Sequence, residues 1–250
     1  MKKILLLLFV AATLATYAQK TDITNVNTVK PKKGQKMAFE AAYKLHIAKF
    51  HKAEEKLTVY EVMTGKYAGY YHLVNGGMSL ADFDKERADA TAHSLDLDKT
   101  FFPYLDDTKN GVYRWMDSLS FQPDMKAERF LVSVRTIKLS MQDDYRQELK
   151  KGAQLAKTLK GKFWEAYSLN VFEQLWDGSE PVVVSIRNLK DGVASLETDF
   201  YGPQAAGAFK EEYIKAYGTL EWDKRDKLMT DAVAHNEVYI MKLRKDLSSQ

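Results

Sequence analysis

Two successive α+β units, each ordered strand, helix, strand, strand, helix, strand, are the fold that this 250-residue sequence predicts. Three recurring motifs predict it. Val26-Asn27-Thr28-Val29-Lys30 returns as Val134-Arg135-Thr136-Ile137-Lys138. Ser79-Leu80-Ala81-Asp82-Phe83 returns, with one insertion, as Ser195-Leu196-Glu197-Thr198-Asp199-Phe200. Asn110-Gly111-Val112-Tyr113 returns as Asn236-Glu237-Val238-Tyr239. The matches keep their order and lie about a hundred residues apart, as a duplicated unit requires.

A leading segment precedes the first unit. Lys2 and Lys3 open an apolar run from Ile4 to Leu14, followed by Ala15-Thr16-Tyr17-Ala18. A basic start, a short apolar middle and small residues before a cut describe a secretory signal, with cleavage expected after Ala18. The run is short for a membrane span of about 20 residues. The expected division is signal 1–18, first repeat 19–122 and second repeat 123–250. The expected location is periplasmic or secreted, with no stable membrane insertion after cleavage.

The first strand of the first repeat is expected over Ile23 to Lys30, broken by Pro31 and Gly34. Phe39, Tyr43, Ile47 and Phe50 then mark one face of a helix. Tyr145, Leu149, Ala153 and Ala156 repeat that spacing in the second half. A hairpin follows, Leu57 to Met63 and Tyr70 to Val74, turning at Thr64-Gly65-Lys66. Its counterpart runs from Phe163 to Phe172 and from Pro181 to Ile186, with Trp176-Asp177-Gly178-Ser179 between. Ser79, with Asp82 three residues on, reads as a helix N-cap, and Ser195 as its equivalent. Phe209, Tyr213, Ala216 and Leu220 form the stripe of a helix that Gly218 interrupts. Each repeat closes with a strand, Val112 to Met116 and Val238 to Leu243, and Asn110 and Asn236 are read as turn residues opening them. Ser118 to Glu128, with Pro123, is the connector.

This is the ferredoxin-like βαββαβ order. One unit leaves one sheet face bare, and two units bury both bare faces by packing sheet to sheet. The whole resembles the fused form of the dimeric α+β barrel superfamily, in which monooxygenase-like, NIPSNAP-like and chlorite-dismutase-like proteins are found. The resemblance rests on element order and duplication across nearly all of the mature chain. It implies a pseudo-dimeric α/β barrel and a pocket for small, often aromatic or apolar molecules.

Composition narrows the function. No cysteine is present, which excludes disulfides, thiolate nucleophiles and thiolate metal ligands. The formal charge is +3, and loss of Lys2 and Lys3 with the signal leaves +1. Near neutrality argues against nucleic acid as a partner. No Gly-x-Ser-x-Gly elbow, calcium-loop spacing or glycine-rich phosphate loop appears, and Gly76-Gly77 reads as a tight turn.

Candidate ligand-lining residues are Tyr60, Tyr113, Tyr167 and Tyr239, whose rings suit an aromatic ligand and equally a half-buried sheet face. His72 is expected to share a strand face with Tyr70 and Val74. Glu61, on the facing strand, is the expected partner that orients His72 as a general base for a cofactor-independent oxygenation or isomerisation. The alternative for this pair is a cross-strand contact on the solvent face. His46 and His51, five apart on a helix, share a face poorly, and no metal or cofactor is expected. Under the chlorite-dismutase-like resemblance, His93 or His235 is a conceivable axial haem ligand. The function expected is binding of a small apolar or aromatic molecule in a barrel pocket. The alternatives are the oxygenase or isomerase, or an envelope interaction protein using its sheet edges or helices. The sequence leaves the oligomeric state open.

Overall fold

A computed structural model describes residues 21–51, 57–121, 127–158, 169–176, 180–197 and 203–249. The signal segment, the Gln122 boundary, Tyr167, the start of the strand expected from Phe163 and the Asp177-Gly178-Ser179 turn lie outside the described residues.

The first half runs through β1 (Ile23–Pro31), α1 (Lys36–Phe50), β2 (Leu57–Val62), β3 (Tyr71–Met78), α2 (Ala90–Asp96) and β4 (Leu105–Trp115). The second runs through β5 (Arg129–Ile137), α3 (Gln142–Thr158), β6 (Leu169–Trp176), β7 (Val182–Asn188), α4 (Pro203–Tyr217), α5 (Thr219–Asp231) and β8 (Val233–Leu243). The eight strands close into one antiparallel barrel in the order β1-β3-β2-β8-β5-β7-β6-β4. Two seams join the halves. β2 meets β8 through Tyr60↔Leu243, Glu61↔Lys242 and Val62↔Met241. β4 meets β6 from Val112↔Trp176 to Trp115↔Phe172. The barrel closes through short seams: β8 meets β2 only over Met241–Leu243 and β4 meets β6 only over Val112–Trp115, while both strands pair along nearly their whole length with β5 and β1.

Strand alternation divides the side chains into an inner and an outer set. The inner set, with Val62, Phe130, Val132 and Met241, packs inside the barrel. The outer set of the first half, Val29, Val59, Tyr71 and Leu73, packs against Phe39, Tyr43 and Ile47 of α1. In the second half, Ile137, Val171 and Val183 meet Tyr145 and Leu149 of α3. Both expected helix stripes are therefore core-facing, and each fully buried large side chain contributes roughly 1.5–3 kcal/mol.

An ion-paired cluster ties the C-terminal end of β8 to the first half. The Arg244 guanidinium donates to Glu40 at 2.6 Å and Glu61 at 2.8 Å. Tyr71 donates its hydroxyl to Glu40, and Lys36 reaches Glu61 at 2.5 Å. The Arg244 hydrogen bond is the main cause holding Glu40 below the usual carboxylate range.

Several expected elements differ. In place of one helix after β3 come a 3₁₀ turn at Leu80–Asp84, the short α2, a π-turn at Leu97–Phe101 and a 3₁₀ turn at Phe102–Tyr104. The Ser79–Asp82 contact exists, with the Ser79 amide and hydroxyl donating to Asp82 at 2.7 and 2.8 Å, but it caps a 3₁₀ turn. Ser195 lies inside the Gly192–Leu196 turn and accepts the Asp191 amide, so it is no N-cap. Gly218, at φ 95, divides the last helical stretch into α4 and α5, which leaves Leu220 exposed on the second. Asn110 and Asn236 lie inside eleven-residue strands, at their sixth and fourth residues, and open neither. Asn110 donates to Asn25 and Asn27, and Asn236 accepts from Ser133.

Candidate functional site

Of the sequence-nominated residues, Tyr60, His72 and Tyr239 meet on the barrel's inner face. Pairing of β3 with its two neighbours places Thr28 and Tyr60 on either side of His72. His72 Nδ1 lies 2.9 Å from Thr28 Oγ1, and Nε2 lies 3.1 Å from the Tyr239 hydroxyl. Burial pushes His72 down to about 4 and Tyr60 up to about 12. Tyr113 folds back over Gly111, where a Cβ would stand 2.8 Å from its ring. Tyr60, His72, Tyr113 and Tyr239 nevertheless line none of the described cavities. Tyr60 and Tyr239 fill the barrel interior with its apolar side chains.

Glu61 does not orient His72. The hairpin register sets Glu61 opposite Tyr71 and Tyr60 opposite His72. A register displaced by one residue reverses every side chain, so Glu61 faces outward and its carboxylate is held by Lys36 and Arg244. His235 also stands apart from any haem site. Its side chain is exposed and pairs with Glu237 at 3.0 Å.

The largest described cavity lies outside the barrel, on the helix-covered face of the first half, with a volume of about 760 Å³. Val29, Leu57, Leu73 and Phe101 give it an apolar floor. Asn25, Asn27, Asn75 and Arg87 give it polar edges. The breaks that replace the second helix create it, because the Leu80–Tyr104 segment roofs the sheet without covering it continuously. Arg87 is fixed by Asp89 at 3.0 Å and the Phe50 carbonyl at 3.2 Å. The second half has a smaller cavity, about 240 Å³. There Arg225 is tied to Glu148 at 3.1 Å and Arg135 to Ser185 at 3.4 Å.

Three histidines stand in the wall of the larger cleft. His46, on the buried face of α1, is 2% exposed. His51 follows the last helical residue, and His93 comes from α2. Their Nε2 atoms face one another at 3.2 Å (His46–His93), 3.3 Å (His46–His51) and 3.1 Å (His51–His93). His46 Nδ1 lies 2.9 Å from Asp96 Oδ2, and Lys49 binds the other carboxylate oxygen at 2.8 Å. The Lys49 bond, then that of His46, holds Asp96 down at about 2. Asp96 is therefore a carboxylate that accepts from His46 Nδ1 and fixes the orientation of the ring. Burial, then the two neighbouring rings, pushes His51 down to about 4.

The expectation that His46 and His51 are poorly paired fails because the helix ends between them. At φ −116, ψ 74 the chain leaves the helix at His51, and its ring returns to His46. His93 is no haem ligand facing an apolar slot, since its Nε2 is turned to two imidazoles. One signal was present in the sequence. His46 falls on the buried stripe of Phe39, Tyr43 and Ile47, and a buried imidazole needs partners.

No family model matches the chain, and no curated protein matches it. Solved structures do. An anthrone oxidase-like protein aligns with TM-score 0.58 at 13% identity, over 90% of this chain and 92% of that one. A protein from Lactobacillus acidophilus NCFM, provisionally assigned as a monooxygenase, aligns with TM-score 0.52 at 10% identity, over 91% and 95%. A mutant chlorite dismutase from Candidatus Nitrospira defluvii aligns with TM-score 0.53 at 6% identity, over 94% and 95%. At these identities the likeness is one of fold. The chain shares with these structures an eight-stranded α+β barrel fold.

Proposed function

We propose that this α+β barrel is an exported small-molecule-binding protein whose working site is the first-half cleft. The observation that carries the reading is the cleft itself. Its volume falls in the range of about 300–1,000 Å³ usual for small-molecule sites, and its apolar floor is rimmed by polar and charged groups, among them Asn75, Asp82, Lys85, Glu86 and Arg87. The ligand class it suits has a flat apolar body, set on Leu73 and Phe101, and a polar group at the Asn75 and Arg87 edge.

The reading includes an internal duplication into units 19–122 and 123–250. Its support is register. Asn27 pairs with Asn110, and Arg135 with Asn236, so the recurring motifs stand opposite each other in the same way in both halves. The strand orders β4-β1-β3-β2 and β8-β5-β7-β6 also correspond. Export rests on the signal-like segment. Among the described residues no helix is long and apolar enough to cross a membrane.

A catalytic form of the same reading is an oxygenase, suggested by the anthrone oxidase-like and monooxygenase-type neighbours. It would act in the cleft, since the His72–Glu61 pair is broken by the register. The test is a thermal-shift and calorimetric screen of small aromatic acids, phenols and quinones against the wild type and Asn75→Trp. The reading expects at least one saturable binder that Asn75→Trp loses while unfolding at the wild-type temperature. Binding that survives Asn75→Trp, or no binder across the set, contradicts it. Oxygen uptake with the same compounds tests the catalytic form.

A further inference from the structure

The geometry points to a divalent metal site made by His46, His51 and His93, with Zn²⁺ the ion that fits, and with a fourth position open toward the cleft. It requires no organic ligand and stands apart from the small-molecule reading.

The three Nε2 atoms form a nearly equilateral triangle with sides of 3.1, 3.2 and 3.3 Å. An ion at the usual Zn–N distance of about 2.0–2.1 Å from each would sit about 0.9 Å off that plane, with N–metal–N angles of about 100°. That is close to tetrahedral and wider than the right angles of an octahedral face. Three protein ligands with one open position is the pattern of catalytic zinc, where closed four-ligand sets are structural. The donors are imidazoles without thiolate, a set that suits zinc and other first-row ions.

Two observations besides the spacing point the same way. Asp96 holds His46 through Nδ1, the outer-shell carboxylate that fixes ring orientation in many metal sites. Hydrogen bonding among neutral rings also explains the triangle poorly. With three neutral rings and the His46 Nδ1 hydrogen directed at Asp96, the His46 Nε2 only accepts. Of the other two nitrogens, one alone can carry a proton without two N–H groups meeting head-on. One proton must then serve three contacts, whereas a cation serves all three. The open position faces the cleft, because all three rings line it. Water, or an anionic group on a cleft ligand, completes the coordination there.

The test uses the untagged mature chain, stripped with chelator and titrated with Zn²⁺ and with Co²⁺. The proposal expects one ion per chain by calorimetry and elemental analysis, and intense visible Co²⁺ bands of four-coordinate type. His93→Ala, which alters a half-buried residue on a short helix, should weaken Zn²⁺ binding by more than about 100-fold, beyond the loss from an outer-shell change. Asp96→Asn should weaken it about 10- to 100-fold. His235→Ala should bind as the wild type does. If His93→Ala does not fold, His51→Ala at the helix end replaces it with the same expected loss. Absence of stoichiometric binding, or full retention by the histidine variant that folds, overturns the proposal and leaves a hydrogen-bonded imidazole cluster. Metal binding without any aromatic binder defeats the small-molecule reading alone, and the reverse result defeats the metal site alone.

Discussion

Replacing His72 with glutamine should flatten the acid side of the stability curve. The ring sits between Thr28 and Tyr239 inside the barrel, and burial lowers its folded value to about 4 from 6.5. Between those values the unfolded chain binds a proton that the folded chain refuses. Stability is therefore complete above pH 6.5 and falls as the pH drops toward 4. At about 1.4 kcal/mol per unit the full shift is worth on the order of 3 kcal/mol. His72 keeps a partly solvated edge, and screening there reduces the expected effect to about 2–3 kcal/mol. His72→Gln retains a hydrogen-bonding head and removes the titration. Urea unfolding of both proteins from pH 7.5 to pH 4, with chelator present, isolates this contribution because the carboxylates and the other histidines are common to both. The wild type should lose about 2–3 kcal/mol more than the variant over that range. Parallel curves would refute the reasoning and show that His72 titrates in the folded protein as it does in the unfolded chain.

The remaining predictions concern the frame. Arg244→Ala strips Glu40 and Glu61 of a shared guanidinium and should cost about 3 kcal/mol in urea unfolding, with Arg244→Lys recovering only part because an ammonium cannot hold both in the same fork. Phe39→Ala should cost about 3–5 kcal/mol, while Leu45→Ala on the exposed side of α1 should stay within about 0.5 kcal/mol. Tyr213→Phe removes the hydroxyl that donates to buried Glu148 at 2.5 Å and should cost about 1–2 kcal/mol by the same assay. Intact-mass analysis of the exported protein should show an N-terminus at Gln19, and retention of Met1 would contradict the signal reading.

Legibility in the sequence followed the strength of periodic patterns. Phe39, Tyr43 and Ile47, like Tyr145 and Leu149, repeat on one helix face, and both stripes pack against the sheet. The segment from Leu80 to Tyr104 carries no such stripe. Its charged run from Asp84 to Asp89 and its Pro103 leave short turns where a regular helix was expected. Gly218 likewise turned one stripe into two helices, because a positive φ ends a helix that the hydrophobic spacing alone would continue. The site was harder to read for two physical reasons. The pairing of Glu61 with His72 depended on a hairpin register that sequence distance does not set. The histidine cluster depended on a helix ending one residue before His51, and on His93 returning across 42 residues to meet it.

The most direct test of the three-histidine metal centre in the cleft wall is an ¹⁵N–¹H correlation spectrum of the chelator-stripped protein with one equivalent of Co²⁺. Perturbation centred on the amides of Phe50, Arg87, Asp96 and Phe101, with Val132 and Val184 in the far half unmoved, is the predicted result. Perturbation centred on His235 and Glu237, or spread evenly over the surface, would contradict it.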